Sequence, residues 1–208
     1  MDMLRFDERC SMISDLNKQI KPLRLTPFKW DILYRNEAVK CFHQHLPISC
    51  VVVSSALVET CLCWEHFRRK PKEERKTIEL DEFRFVSLNS LFDEYIDSDI
   101  PLESLMDTDE PQFTAIEDLK KRSKKERREA ISRIRYVLTR NKFTHGDLFY
   151  LRVSLSNLIP FNKEELIDYG IEDKEWWNPS FETVAYVHLS KTLRFMKAFT
   201  DLLIEKTN

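Results

Sequence analysis

Arg140, Asn141 and His145 fall within one seven-residue stretch, RNKFTHG, that closes on Gly146. Each residue type brings a different chemical capacity. An imidazole with an ordinary pKa of about 6.5 takes up or gives a proton near neutrality. A guanidinium grips a phosphate with two parallel N–H bonds and offsets charge that develops on it. An amide beside them can orient the guanidinium or the group it holds. Gly146 is one of only two glycines in the chain, where average usage would supply roughly fifteen. It reads as a helix stop directly after His145, leaving the imidazole at a helix end that water and ligand can reach. A purely structural role is the alternative, because cations near a helix C-terminus meet the negative end of the dipole.

The element that must position these residues is a helix expected over about 112–146, and its charge is unusual. Thirteen acids and the single base Arg84 lie between Glu79 and Asp118, and eleven bases against two acids follow from Leu119 to Lys142. No apolar residue occurs from Lys120 to Glu129, so this half projects from the core. Ala130, Ile131, Ile134, Val137 and Leu138 then restore a buried stripe. The helix thus begins as a cationic arm carrying Lys120, Lys121, Arg122, Lys124, Lys125, Arg127 and Arg128. It ends in the core with Arg140 and His145. Two readings of the arm stand. It is a solvated face balanced by the preceding acids, or a phosphate-tracking surface to which Arg133, Arg135, Arg140 and Lys142 add salt-dependent, sequence-blind affinity.

Upstream, residues 47–69 read as a helix begun by Pro47 and apolar nearly all round from Ile48 to Phe67, hence packed on more than one side. Glu59 sits inside it, four residues after Ser55 and on one face with Val52, Cys63 and His66. A carboxylate there needs a cation or hydrogen-bond donors. Arg140 and His145 are candidates for that partner; a half-exposed position paired with water or a surface lysine is the alternative.

The rest of the chain supplies neighbours. Helices are expected over 2–20, over 28–45 with Trp30, Leu33, Tyr34, Ala38, Cys41 and Phe42 inward, over 86–96, and over 180–206 with Phe181, Ala185, Leu189, Leu193, Met196, Phe199 and Leu203 as its stripe. His188 on that last helix reads as structural. Residues 70–118 and 147–178 are inserted connections, the second holding a short helix, NKEELIDYG, and the pair Trp176–Trp177, which could stack on bases or plug a bundle end. The expectation is an all-α antiparallel bundle of about five main helices in one domain, 1–208, with an acidic insertion.

Net charge is −2, so nucleic-acid affinity would come from local segregation of charge rather than a global field. The five cysteines follow no signal-like segment and read as small buried hydrophobes in a reducing cytosol. No run of eighteen uncharged apolar residues occurs, so a soluble, cytoplasmic protein without membrane contact is expected. Cys41, His43 and His45 alternate around a helix, and Cys61, Cys63 and His66 bring only two residues near one face, so no metal site and no cofactor is expected. G-x-S-x-G, Walker-type and dinucleotide glycine motifs are absent from the sequence.

Arg140, Asn141 and His145, with four residues between Arg and His and a glycine after, resemble the signature of the HEPN superfamily, small helical domains of many RNases and of defence and toxin systems. The resemblance extends loosely from about residue 28 to the C-terminus. One branch of that family carries a tyrosine where this chain has Asp147, so a toxin regulated through that tyrosine is not implied. The resemblance implies a homodimer with two motifs lining one cleft. On an ideal helix Arg140 and His145 lie about 140° apart and about 7.5 Å along the axis, and doubling by symmetry would bring two of each to one phosphodiester. It further implies a metal-independent endoribonuclease in which His145 moves protons, Arg140 holds the phosphate, Asn141 orients and Glu59 fixes the arginine or imidazole. RNA is the implied partner, with an antitoxin or regulatory protein as a second. The alternative is an inactive HEPN-like module binding RNA or protein.

Overall fold

The computed structural model describes residues 5–21, 25, 29–70, 87–106, 116–144 and 181–206. Among these the chain is helical, without strands. The helices are α1 (Phe6–Gln19), α2 (Trp30–His43), α3 (Pro47–Arg69), α4 (Leu88–Tyr95), α5 (Ile116–Lys120), α6 (Lys124–Arg133), α7 (Arg135–Thr144) and α8 (Phe181–Glu205), with a 3-10 turn at Leu102–Leu105. The all-α class expected from the periodicity is what the chain forms. His145, Gly146, the NKEELIDYG helix and Trp176–Trp177 lie outside the described residues, as do most of the two inserted connections.

Two helices carry the bundle. Pro47 opens α3 in its first turn, where its missing N–H costs nothing, and no further proline or glycine interrupts the helix before Arg69. Its faces are covered by α2, α4, α7 and α8. The all-round apolar pattern has that consequence, with Cys50, Val51, Leu57, Val58, Cys61 and Leu62 all inside. By length and composition alone α3 could also cross a membrane; here it packs against four other helices. The other is α8, buried without a break from Thr183 to Leu193 because α1, α2, α3 and the 3-10 turn surround it. Leu189→Ala, at a fully buried position, is expected to cost about 2–5 kcal/mol, read as a lower denaturant midpoint with an unchanged slope.

Two elements differ from the periodic reading. The helix expected over 112–146 is divided into α5, α6 and α7. Ser123 caps α6, its hydroxyl accepting from the Glu126 amide at 3.4 Å while the Ser123 amide donates to Glu126 Oε2 at 3.0 Å. This reciprocal box ends one helix and starts the next despite the unbroken run of good helix formers. A second break falls at Ile134, whose backbone leaves the helical region at φ −56, ψ 127. Most of the buried stripe survives both: Ala130, Ile131, Ile134 and Val137 are in the core, and Leu138 is half-buried.

The first turn of α2 is rotated from expectation. Trp30 and Leu33 are 45% and 60% exposed, whereas Asp31 is buried and accepts the Leu25 amide at 3.3 Å. A buried backbone donor must find an acceptor. Turning Asp31 inward to meet it carries Leu33, two residues on, to the opposite face.

Candidate functional site

The last turns of α7 lie against α3, and this contact positions Arg140. Arg140 Nε is 2.6 Å from Glu59 Oε1. The carboxylate inside the apolar helix thus has a cation for a partner. The pair is close but not aligned as a hydrogen bond, since Glu59 Oε1 has no donor aimed at it; its attraction is therefore chiefly charge on charge. On its other edge Arg140 Nη1 donates to Asn141 Oδ1 at 3.0 Å. Side-chain exposures of 22% for Arg140 and 24% for Glu59 put the pair at the wall of the bundle, desolvated on one side and open on the other.

The end of α7 is fixed twice over. Phe143 is buried and meets Phe181, in the first turn of α8, edge-on at 5.9 Å. The Thr144 hydroxyl donates back to the Arg140 carbonyl at 2.9 Å and lies 3.3 Å from that of Asn141, occupying acceptors the last turn leaves open. His145 follows directly in sequence and lies outside the described residues. Of the four residues assigned to the site from sequence, three are therefore brought together: Glu59, Arg140 and Asn141.

One turn further in, a buried polar seam joins α3, α7 and α8, and nothing in the sequence had marked it. The Tyr136 ring stacks on the His188 ring with centroids 4.0 Å apart and planes 9° from parallel. Thr192 gives its proton to the His188 carbonyl at 3.0 Å, so the Tyr136 hydroxyl donates to Thr192 Oγ1 at 2.8 Å. Ser55 gives its proton to the Val51 carbonyl at 2.8 Å, which leaves His188 Nε2–H to donate to Ser55 Oγ at 2.8 Å. Burial holds the imidazole neutral, its pKa lowered to about 3. Burial also raises the Tyr136 phenol; the Thr192 hydroxyl opposes this and the Glu59 carboxylate adds to it, which ties the seam electrostatically to the Glu59–Arg140 pair.

The cationic arm is arranged by sign. Lys120 pairs with Glu117 at 2.8 Å and Lys121 with Asp118 at 3.5 Å, each within its own turn. Arg127 reaches Asp97 at 2.6 Å and Arg128 reaches Asp93 at 3.2 Å, so α4 and the turn after it neutralise one face of α6. Lys124 and Lys125 are exposed, and Arg122 is half-buried. Arg133 and Lys142 sit on α6 and α7 with side chains outside the described set. Balance by the neighbouring acids, one of the two readings of the arm, thus holds for Arg127 and Arg128.

Among the described residues no three His, Cys, Asp or Glu side chains gather to hold a metal ion. His43 meets Ser14 at 3.4 Å, and His45 lies 3.5 Å from Glu182 with its ring stacked on Phe6. Burial, helped by the Glu59 and Glu94 carboxylates, pushes the Cys63 thiol up to about 11, so it is not a nucleophile near neutral pH. Compared with protein-family models, with curated proteins and with solved structures, the chain matches none.

Proposed function

We propose that the chain is a metal-independent endoribonuclease of the HEPN type, acting as a cytoplasmic homodimer on RNA. The observation that carries the reading is the anchoring of Arg140. Glu59 from the core helix and Asn141 from its own helix hold the guanidinium at a partly open wall, five residues before His145 in the chain. A pre-positioned guanidinium is what a transferring phosphate requires, since donors fixed beforehand cost no reorganisation as charge develops.

The chemistry needs little else. The 2′-hydroxyl of RNA loses its proton to one His145 imidazole and attacks the adjacent phosphorus. The P–O5′ bond breaks, and the leaving 5′-oxygen takes a proton from a second imidazole, supplied by the partner copy of the motif. A 2′,3′-cyclic phosphate and a 5′-hydroxyl result. A toxin or antiviral defence role, with an antitoxin or regulatory protein as partner, accords with the resemblance in the motif.

Total RNA incubated with the pure chain in excess chelator tests this. Fragments with 5′-hydroxyl and cyclic phosphate ends from the wild type, and none from His145→Ala, are expected. Binding by both without cutting instead supports the second reading, a non-cleaving module that holds RNA or a protein through α6, which the exposed Lys124 and Lys125 favour. No binding by either overturns both.

A further inference from the structure

We infer that Tyr136, Ser55 and His188 are positioning residues for Arg140: their buried seam sets the register of α7 on α3 that brings the guanidinium to Glu59. The inference rests on the reading of Arg140 as the phosphate-holding cation. Its basis is spacing. Tyr136 is four residues before Arg140 on α7, and Ser55 is four before Glu59 on α3, so each stands one turn below its counterpart on the same helix face.

The two layers differ in what they can hold. In the upper layer, among the described residues, an ion pair not aligned as a hydrogen bond joins the helices, its side chains about a quarter exposed. A pair of that kind is weakly directional. In the lower layer a ring stack and hydrogen bonds of 2.8 Å run from Tyr136 to Thr192 and from His188 to Ser55, all out of solvent. The Tyr136 hydroxyl also lies 3.4 Å from the Ser54 carbonyl, against the α3 backbone, while its one proton is directed to Thr192. Buried, mutually satisfied polar groups tolerate one arrangement only, because any slip strands a donor or acceptor. The lower layer therefore fixes the rotation and height of α7, and the upper layer inherits them. α8 is the jig between them, supplying both His188 and Thr192.

A neighbouring residue provides the control. Ser54 is as buried as Ser55, but among the described residues its hydroxyl bonds within its own helix, to the Cys50 carbonyl at 2.6 Å and the Val51 carbonyl at 3.1 Å. Ser54→Ala and Ser55→Ala thus remove the same atom from adjacent buried sites, and only the second cuts the link to α8.

The test follows the Arg140 Nε–Hε resonance by NMR, assigned by its loss in Arg140→Lys. In the wild type it is expected to stand apart from exposed arginines because of the carboxylate 2.6 Å away. Ser55→Ala and Tyr136→Phe, the latter keeping the ring on His188, are expected to move it toward the free-arginine position, with helical circular dichroism retained. Ser54→Ala is expected to leave it in place. In RNA cleavage the two seam variants are expected to lower kcat about tenfold with RNA affinity unchanged, as a small misplacement of a reacting group does. Should Ser55→Ala not fold, Tyr136→Phe alone carries the comparison. A resonance that stays put in the seam variants, that moves equally in Ser54→Ala, or that already sits at the free position in the wild type overturns the inference. A wild type that cuts no RNA removes the nuclease reading while leaving this spectroscopic result to stand or fall by itself.

Discussion

Arg140→Ala is expected to give a folded chain whose RNA cleavage falls by about 10²- to 10³-fold in kcat, with RNA affinity changed far less. The guanidinium is held from two sides, by Glu59 at 2.6 Å and Asn141 at 3.0 Å, so its removal deletes a fixed charge rather than a mobile one. Arg140→Lys separates shape from charge. An ammonium keeps the positive charge but loses the planar fork, and activity near that of the alanine variant is the expected outcome. Alanine also leaves the Glu59 carboxylate facing no cation at a partly desolvated position, at a cost of about 1–3 kcal/mol. Adding Glu59→Gln to Arg140→Ala is expected to restore most of that stability and none of the cleavage. Recovery of cleavage in the double variant would show that Arg140 serves the fold alone.

Stability is expected to climb with pH in two separate windows, each assigned to one buried base. Burial lowers the His188 imidazole from 6.5 to about 3. Between those values the unfolded chain binds a proton that the folded chain refuses, so stability falls as pH drops through 6.5 and keeps falling toward 3. Burial, and secondarily the positive charge of Arg194, lowers the Lys191 ammonium from 10.5 to about 7. Here too the unfolded state holds the extra proton, and stability rises from pH 7 toward 10.5. Each window spans, at full extent, on the order of several kcal/mol, a large share of a typical folding free energy. Denaturant midpoints taken from pH 5 to 9 check the assignment. His188→Gln is expected to flatten the acid limb and Lys191→Met the alkaline one. An acid limb unchanged in His188→Gln would mean that carboxylates, not this imidazole, govern it.

Much of the fold was legible because α3 and α8 state their role in composition. Each presents apolar residues on more faces than a surface helix needs, and each is enclosed accordingly. The embedded Glu59 was readable for the opposite reason, as a charge that such a helix could not hold without a partner; the more deeply buried Glu65, held by Arg68 and Arg69 of its own last turn, was not singled out. Other features were hidden by competition between local signals. The S-K-K-E box at Ser123 lies inside a run of strong helix formers, and the run reads as one helix until the cap is seen to win. At Ile134 no residue of low helix propensity marks the break. Asp31 facing inward was hard to read because the group it meets at Leu25 is a backbone amide, which sequence does not display. The seam of Ser55, Tyr136, His188 and Thr192 draws on three separate helices, and no local pattern joins residues so far apart in the chain.

The pairing of α6 with α4 has a consequence for any polyanion that the chain meets. A phosphate contact gains free energy by releasing small ions condensed on the nucleic acid, and the steepness of binding against log salt counts such contacts. Eleven bases between Leu119 and Lys142 would, if all engaged a single strand, give a steepness of roughly −8. Arg127 and Arg128 already face Asp97 and Asp93, so their charges are spoken for before the strand arrives. A salt titration should therefore return a markedly shallower line, and neutralising Asp93 and Asp97 should steepen it.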